Sequence, residues 1–467
     1  MLAVLAFWLA AEWADVSRAI RKFVQVYAAV EAESADPVSA APVIYGGALP
    51  GLLRGLDPHS IFLDPDQFQQ LREMSNSEQK GFGSIVSILP GRVFVLQTLP
   101  ETPSARAGLS PGDEIVGVNN IPLMGLEPEQ LVQLLSQSRR QPAKVLVRRA
   151  SAPRLLEFFL TPETVAASSV DRGFLLEPGI AYIRVANFDT KTAAELQARV
   201  ESLGGQSLRG LVLDLRNNPG GVVEAALETA SLLLEPGLTI LKIRGRNKKE
   251  EEIRVPPSAT PWRFPLSVLI NEKTASAAEI VAASLQDHGR AKVVGQRSFG
   301  KGLVQTVYPL REGTGVALTV AFYYSPLGRN IQRPLRDVQL AAEPRDGSAA
   351  GGVIPDLVVP AEAYSRLRLV LDQSGLLTAF ATEFLRRGAP TPDFQVTGPL
   401  LDEFRLWLGE RRIQPGVADW SADLAWIRSR LQQEIVNLAF GVEKGDEVEA
   451  ARDPQVQRAA DLIRQLR

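Results

Sequence analysis

Apolar and polar residues alternate with different periods along the chain, and the changes of period mark its parts. Residues 1–75 read as mostly helical. An apolar run over residues 1–11 continues through Trp13, Val16, Ile20 and Phe23 at helical spacing. Leu52, Leu53 and Leu56 end a second helical stretch, the segment 55–58 breaks it, and Pro65 opens a further helix over 65–72. Residues 76–163 are β-rich, with short strands over 81–88 and 92–96, a helix over 128–135 and a strand over 143–148. That order predicts a small peptide-binding barrel. From 164 to 362 strands and helices take turns. Apolar runs at 180–185, 210–215 and 266–270 precede helical patterns at 192–202, 223–233 and 277–286. Continuous apolar strands followed by helices predict β–α units around a sheet covered on both faces. Residues 363–467 return to a helical period, with Leu424, Ile427, Leu431, Ile435 and Leu438 on one stripe and a charged helix from Asp453.

A chain of 467 residues is too long for one ordinary core, so several domains are expected. The net charge is −2, from 51 basic and 53 acidic side chains, which gives no reason to expect nucleic acid or an anionic membrane surface as partner. The basic stretch 244–249 is followed at once by Glu250, Glu251 and Glu252 and reads as a solvated loop. The absence of cysteine excludes thiol catalysis, thiolate metal sites and disulfides. The two histidines, His59 and His288, form no metal-type cluster and read as structural. The run 1–11 fits two descriptions. One is the apolar middle of an export signal lacking its positive lead. The other is the start of an amphipathic helix.

The candidate chemistry lies in two segments. Ser276 follows a buried strand and opens an apolar helix, where free backbone N–H groups and the helix dipole favour a nucleophile. Taken alone it reads equally as a helix cap, with Glu279 completing a capping box. Lys301 changes the balance. A serine hydroxyl needs a base, and an amine serves only in its neutral form, which enclosure by apolar surface favours. Lys301 lies between Gly300 and Gly302 with Phe299 and Leu303 outside them. If Lys301 begins the strand that reads over 303–310, then it shares a face with Gln305, whose carbonyl would hold the amine. The pattern Gly295-x-x-x-x-Gly300-Lys301 resembles a phosphate-binding loop. However, Gly302 offers no hydroxyl for Mg²⁺ and a strand follows where a helix is needed, so no nucleotide is expected. Donors for an oxyanion are sought in the glycine turn after Asp214 and at the Ala277 N–H, while Asp214 and Arg216 read as a structural ion pair.

These segments resemble the C-terminal processing peptidases, also called tail-specific proteases. The resemblance extends over Leu56 to Ser60, Phe62 to Pro65, Gly108 to Ile115, Asp214 to Gly221, the Ser276 segment, 286–290, Gly295 to Gln305, Tyr323 to Ile331 and Ile354 to Asp356. It implies a multidomain α/β protein, with a PDZ domain over 76–163 before a crotonase-like (ClpP/crotonase type) peptidase core over 164–362. Helical regions would flank these at 1–75 and 363–467. It implies a serine endopeptidase with Ser276 as nucleophile, Lys301 as general base and Gln305 as its orienter, Gly221 and Ala277 forming the oxyanion hole. Protein substrates would present free C-terminal tails, captured by strand addition at the PDZ loop Gly81, Phe82, Gly83 and Ser84. Ser84 departs from the usual alternation of glycine and aliphatic residues there. No metal or other cofactor is implied. The helical ends offer a surface for a homo-oligomer or an adaptor protein, and a bacterial periplasm or cell envelope is the implied location.

Overall fold

The computed structural model describes residues 2–74, 80–139, 141–165, 168–246, 248–334 and 351–465. The chain divides into two compact units.

The first unit contains residues up to 72 together with 304–320. The opening segment forms a single helix, Leu2–Glu33, so the chain continues helically from the apolar run into the amphipathic stretch. Val16, Ile20 and Phe23 are exposed along it. Among the described residues no helix is long and apolar enough to cross a membrane. Short helical turns lead through Leu49–Arg54 to a tight turn built on Asp57. The Asp57 carboxylate is fully buried and accepts the N–H of His59 (2.7 Å), the N–H of Ser60 (2.8 Å) and the Ser60 hydroxyl (2.6 Å). The motif around His59 is thus a self-satisfied turn. The strand Ile61–Leu63 then pairs antiparallel with residues 315–317.

The second unit holds the other modules. Five antiparallel strands, Ser84–Leu89, Arg92–Thr98, Glu114–Val118, Ala143–Arg148 and Leu156–Leu160, pair in that order. With the helices Pro103–Ala107 and Pro128–Ser138 they enclose Val93, Val95, Leu131, Val145 and Val147. Ser84–Leu89 stands at the edge of this sheet. A larger six-stranded sheet follows, ordered Val170–Glu177, Ile180–Val185, Gly210–Asp214, Leu266–Ile270, Lys292–Gly295 and Leu357–Val358. All pairs but the first are parallel, as apolar strands joined through helices require. Ile180, Tyr182, Val212, Leu269 and Val294 share one face, against Val456, Ala459, Ala460 and Ile463 of the helix Pro454–Gln465. The helices Thr192–Leu203, Val223–Ser231 and Ala277–Asp287 pack side by side. Between the sheet and the last helix the chain builds a helical cluster from Arg366–Gln373, Leu376–Leu385, Gly398–Glu410 and Val417–Phe440. Its centre is Phe380, Phe404, Ile427, Leu431 and Ile435, and three of these are residues of the predicted stripe. This cluster seats the small antiparallel module. Arg92 Nη1 donates to the Ser374 carbonyl (2.9 Å), and the Val442 N–H donates to Gln97 Oε1 (3.0 Å).

Two expectations are corrected. The basic stretch 244–249 is no loop. It falls on a hairpin of Thr239–Gly245 and Lys248–Arg254, where Lys242 lies opposite Glu252 and Arg244 bonds Glu250 at 2.9 Å. Opposite charges across the strands favour pairing over solvation alone. The strand near Lys301 begins at Leu303, so Lys301 itself precedes the ladder. Gly302 fixes this boundary: a Cβ there would lie 2.4 Å from the Gln332 N. The glycine- and alanine-rich stretch 347–352, whose composition reads as a loop, lies outside the described residues up to 350.

Candidate active site

The strand Leu266–Ile270 is buried throughout and delivers the chain into a turn held by side chains. Thr274 Oγ1 donates to the Leu215 carbonyl at 2.7 Å, and Asn271 Oδ1 accepts the Asn217 N–H at 2.9 Å. Ser276 comes next with φ 54 and ψ −118. Residues other than glycine rarely take this conformation, which costs roughly 1–3 kcal/mol and persists where the surroundings impose it. The helix Ala277–Asp287 begins immediately after it. The Glu279 N–H bonds the Ser276 carbonyl at 2.9 Å.

Glu279 is fully buried and organises the site. Its Oε2 accepts the N–H of Ser276 and the N–H of Lys301, each at 2.8 Å. Its Oε1 accepts the Gly300 N–H at 2.7 Å and the Ser298 hydroxyl. One carboxylate therefore joins the main chain of the seryl turn to that of the lysyl loop. Burial pushes its pKa above the ordinary carboxylate range, although all four donors favour the charged form. The lysyl loop has further pins: the Phe299 N–H on the Thr274 carbonyl (2.9 Å), the Ser298 N–H on the Val353 carbonyl (3.1 Å) and the Gly302 N–H on Gln332 Oε1 (2.9 Å). Ser276 and Lys301 are both half-buried.

The glycine turn closes on the same place. Asn218 is fully buried; its Nδ2 donates to the Val185 carbonyl and its Oδ1 accepts the Gly220 N–H, both at 2.8 Å. Gly220 (φ 97) approaches so closely that a Cβ would lie 2.8 Å from both the Ala275 carbonyl oxygen and the Ser276 Cβ. Gly221 (φ 139) has equally little room, 2.0 Å from the Phe188 carbonyl oxygen. Among the described residues, neither the Gly221 N–H nor the Ala277 N–H has an acceptor within the protein. The ion pair expected of Asp214 and Arg216 is present at 2.6 Å. Burial alone would raise the Asp214 pKa, but the Arg216 charge and three sets of hydrogen bonds, from the Arg216 side chain, the Arg216 N–H and the Tyr182 hydroxyl, hold it below the ordinary range.

Each remaining predicted residue has partners of its own. Gln305 belongs to the first unit, where its Nε2 donates to the His59 carbonyl at 2.8 Å. His288 binds the Thr239 carbonyl through Nε2 at 2.7 Å. In the small antiparallel module Gly81 pairs with Glu163, and the Phe82 carbonyl accepts the Ser104 N–H at 2.9 Å. Gly83 has φ 77 and packs against Thr102, while the Ser84 hydroxyl donates to the buried Ser104 hydroxyl at 2.6 Å. Among the described residues no group of histidine and carboxylate side chains is arranged to hold a metal ion. The residue that sequence reasoning undervalued is Glu279, read there only as part of a cap. A lone carboxylate within an otherwise apolar helix from Ala277 to Leu285 was the available signal.

Residues 179–343 match the model of peptidase family S41, and residues 94–149 match that of the PDZ domain. The chain is 32% identical over 338 residues to the carboxy-terminal-processing protease of Bartonella bacilliformis, covering 70% of this chain and 73% of that protein. It is 31% identical over 311 residues to the carboxyl-terminal-processing protease of Picosynechococcus sp., covering 66% of this chain and 70% of that protein. With the carboxy-terminal processing protease CtpA of Bacillus subtilis it shares 30% identity over 298 residues, 64% of this chain and 63% of the relative. The chain belongs to the carboxyl-terminal-processing proteases of peptidase family S41, and it is a serine peptidase that carries a PDZ domain and acts on protein or peptide substrates.

Proposed function

We propose that this peptidase cleaves proteins near their C-terminal tails with a Ser276–Lys301 dyad that Gln305 supports. The observation that carries this reading is the shared carboxylate of Glu279, which bonds the main-chain N–H groups of both dyad residues. The neutral Lys301 amine takes the proton of the Ser276 hydroxyl as Oγ bonds to the scissile carbonyl carbon. The carbonyl oxygen becomes an oxyanion, met by the unpaired N–H groups of Gly221 and Ala277. Collapse of this intermediate breaks the C–N bond, and the lysine ammonium returns the proton to the leaving amine. Water then attacks the acyl-serine ester, giving its proton to Lys301, and the new carboxyl end leaves as Ser276 regains its hydrogen. The role of Gln305 rests on its place four residues after Lys301 and on the anchoring of its amide nitrogen at His59. Its side-chain oxygen is then the atom that would accept from the amine.

The free tail is read by the PDZ domain. The edge strand Ser84–Leu89 offers a main-chain ladder to an extended peptide, and the residues Gly81, Phe82, Gly83 and Ser84 lead into that strand. Tail capture there gates cleavage. The four-part division at 75, 163 and 362 belongs to the same reading, as do an envelope or periplasmic location and assembly through the helical ends.

Ser276→Ala and Lys301→Ala are each expected to abolish cleavage of an unfolded reporter protein, and to abolish labelling of Ser276 by an active-serine probe, with circular dichroism unchanged. Cleavage at the wild-type rate by either variant would remove the dyad.

A further inference from the structure

The turn that carries Gly221 is short and strained, and main-chain bonds pin it on both sides of that residue: the Phe188 N–H donates to the Gly220 carbonyl and the Val222 N–H to the Phe188 carbonyl, each at 2.9 Å. Asn217 (φ 58), Gly220 (φ 97) and Gly221 (φ 139) all take positive φ values. Arg216, just before the strained residues, ties the leading end of the turn to a distant segment. Arg216 donates through Nε and Nη2 to Asp214, and through Nη1 to Asp453 Oδ2 (2.6 Å) and Gln455 Oε1 (2.8 Å). Asp453 stands 237 residues further along the chain.

Asp453 divides its two oxygens between two tasks. Oδ1 accepts the N–H groups of Gln455 (2.8 Å) and Val456 (3.2 Å), which caps the helix Pro454–Gln465. Oδ2 holds the guanidinium. The helix it caps is firmly seated. Ser267 Oγ donates to the Ala459 carbonyl at 3.0 Å, Gln455 Nε2 donates to the Val359 carbonyl at 2.7 Å, and Ile463 fills the space above Gly210 so fully that a Cβ there would lie 2.2 Å away. Asp453 thus offers a rigid reference point outside the catalytic segments. Both members of the pair are largely shielded, at 16% and 20% side-chain exposure, so water competes weakly for the contact.

We propose that Asp453 is a positioning residue for the oxyanion site, acting through Arg216 on the turn that presents the Gly221 N–H. The C-terminal region then serves turnover itself, as well as seating the PDZ domain. The inference rests on the reading of Gly221 as an oxyanion donor. A donor displaced by a fraction of an ångström stabilises the transition state less while leaving ground-state binding of the tail alone.

Asp453→Ser separates the two tasks of this carboxylate. The serine hydroxyl still caps the helix but lacks the second oxygen that reaches Arg216. Steady-state cleavage of a tailed reporter by the full chain is expected to show kcat reduced about 10- to 100-fold, with KM within twofold and the thermal midpoint near that of wild type. Should Asp453→Ser fail to fold, Asp453→Asn keeps the cap and weakens the Arg216 contact, and the same division between kcat and KM is read there. A folded variant with wild-type kcat overturns the proposal, and so does a fall in kcat that only follows loss of folded protein. Ser276→Ala is measured alongside. If it remains active, the catalytic reading fails and takes this inference with it; if it is inactive while Asp453→Ser equals wild type, this inference alone fails.

Discussion

Replacing Glu279 by glutamine changes which donors at the junction of the seryl turn and the lysyl loop keep an acceptor. With the amide oxygen in place of Oε2, the N–H groups of Ser276 and Lys301 retain their partner. The amide NH₂ then faces Gly300 and Ser298 in place of Oε1. The Ser298 hydroxyl can turn and accept, but the Gly300 N–H is left unpaired, at a cost of roughly 1–3 kcal/mol. The opposite orientation strands both Ser276 and Lys301, so the first is preferred. Removing a carboxylate whose burial disfavours its charge offsets part of the loss. Alanine leaves three buried N–H groups without the acceptor and opens a void, for about 3–5 kcal/mol. The expected order is therefore a modest effect for glutamine and a severe one for alanine. In the Glu279→Ala variant kcat should fall on the order of 100-fold or more, with KM little changed among molecules that remain folded. Reporter cleavage and thermal unfolding, measured on the same preparations, test this. A folded alanine variant with wild-type kcat would show that the bracket is idle, and equal losses for glutamine and alanine would show that the bonds to Ser276 and Lys301 are not the ones that matter.

Gly220→Ala should cost at least about 100-fold in activity, because the new methyl meets the Ser276 Cβ and the Ala275 carbonyl. Gly237→Ala, at φ 83 in open space, should cost only stability, and similar activity losses in both would refute the argument. Asp446 tests linkage. Its pKa is pushed up to about 7, by burial first and by Glu449, against the pull of Arg172 at 3.1 Å. Between the ordinary aspartate value of about 4 and about 7 the folded chain binds more protons than the unfolded, so this group lowers stability as pH rises through that window. Asp446→Asn should remove that slope and gain most above pH 7, and thermal midpoints at several pH values that shift equally in both proteins would contradict it. Ile85 and Val132, partly exposed apolar residues on the edge strand and on the helix Pro128–Ser138, should contact a bound tail. Glutamate at either position is expected to raise KM about tenfold without changing kcat, since burial of one such side chain is worth roughly 1.5–3 kcal/mol. Altered kcat at constant KM would count against tail capture there.

Much of this molecule follows from local pattern. Mainly apolar runs such as 266–270 and 210–214, interrupted by Ser267 and Asp214, suit strands covered on both faces as in a parallel sheet, and the period of Ile427, Leu431 and Ile435 selects one face of a helix. The segments from which the proposed dyad is drawn stood out because a serine at a helix start and a lysine between glycines are local features of the chain. The hairpin at 239–254 did not, since its ladder matches residues as far apart as Thr239 and Arg254 and a window of consecutive residues shows only like charges in blocks. The role of Glu279 was hidden for a related reason. A carboxylate three residues after a serine is sufficient for a cap, and its second oxygen finds Gly300 and Ser298 only after the lysyl loop has folded over it. Periodicity and backbone preference act over a few residues, so they set most of the strands and helices, the hairpin at 239–254 excepted. Tertiary structure alone decided that Glu279 joins two loops and that Asp453 reaches Arg216, because such contacts depend on where distant segments meet in the packed core.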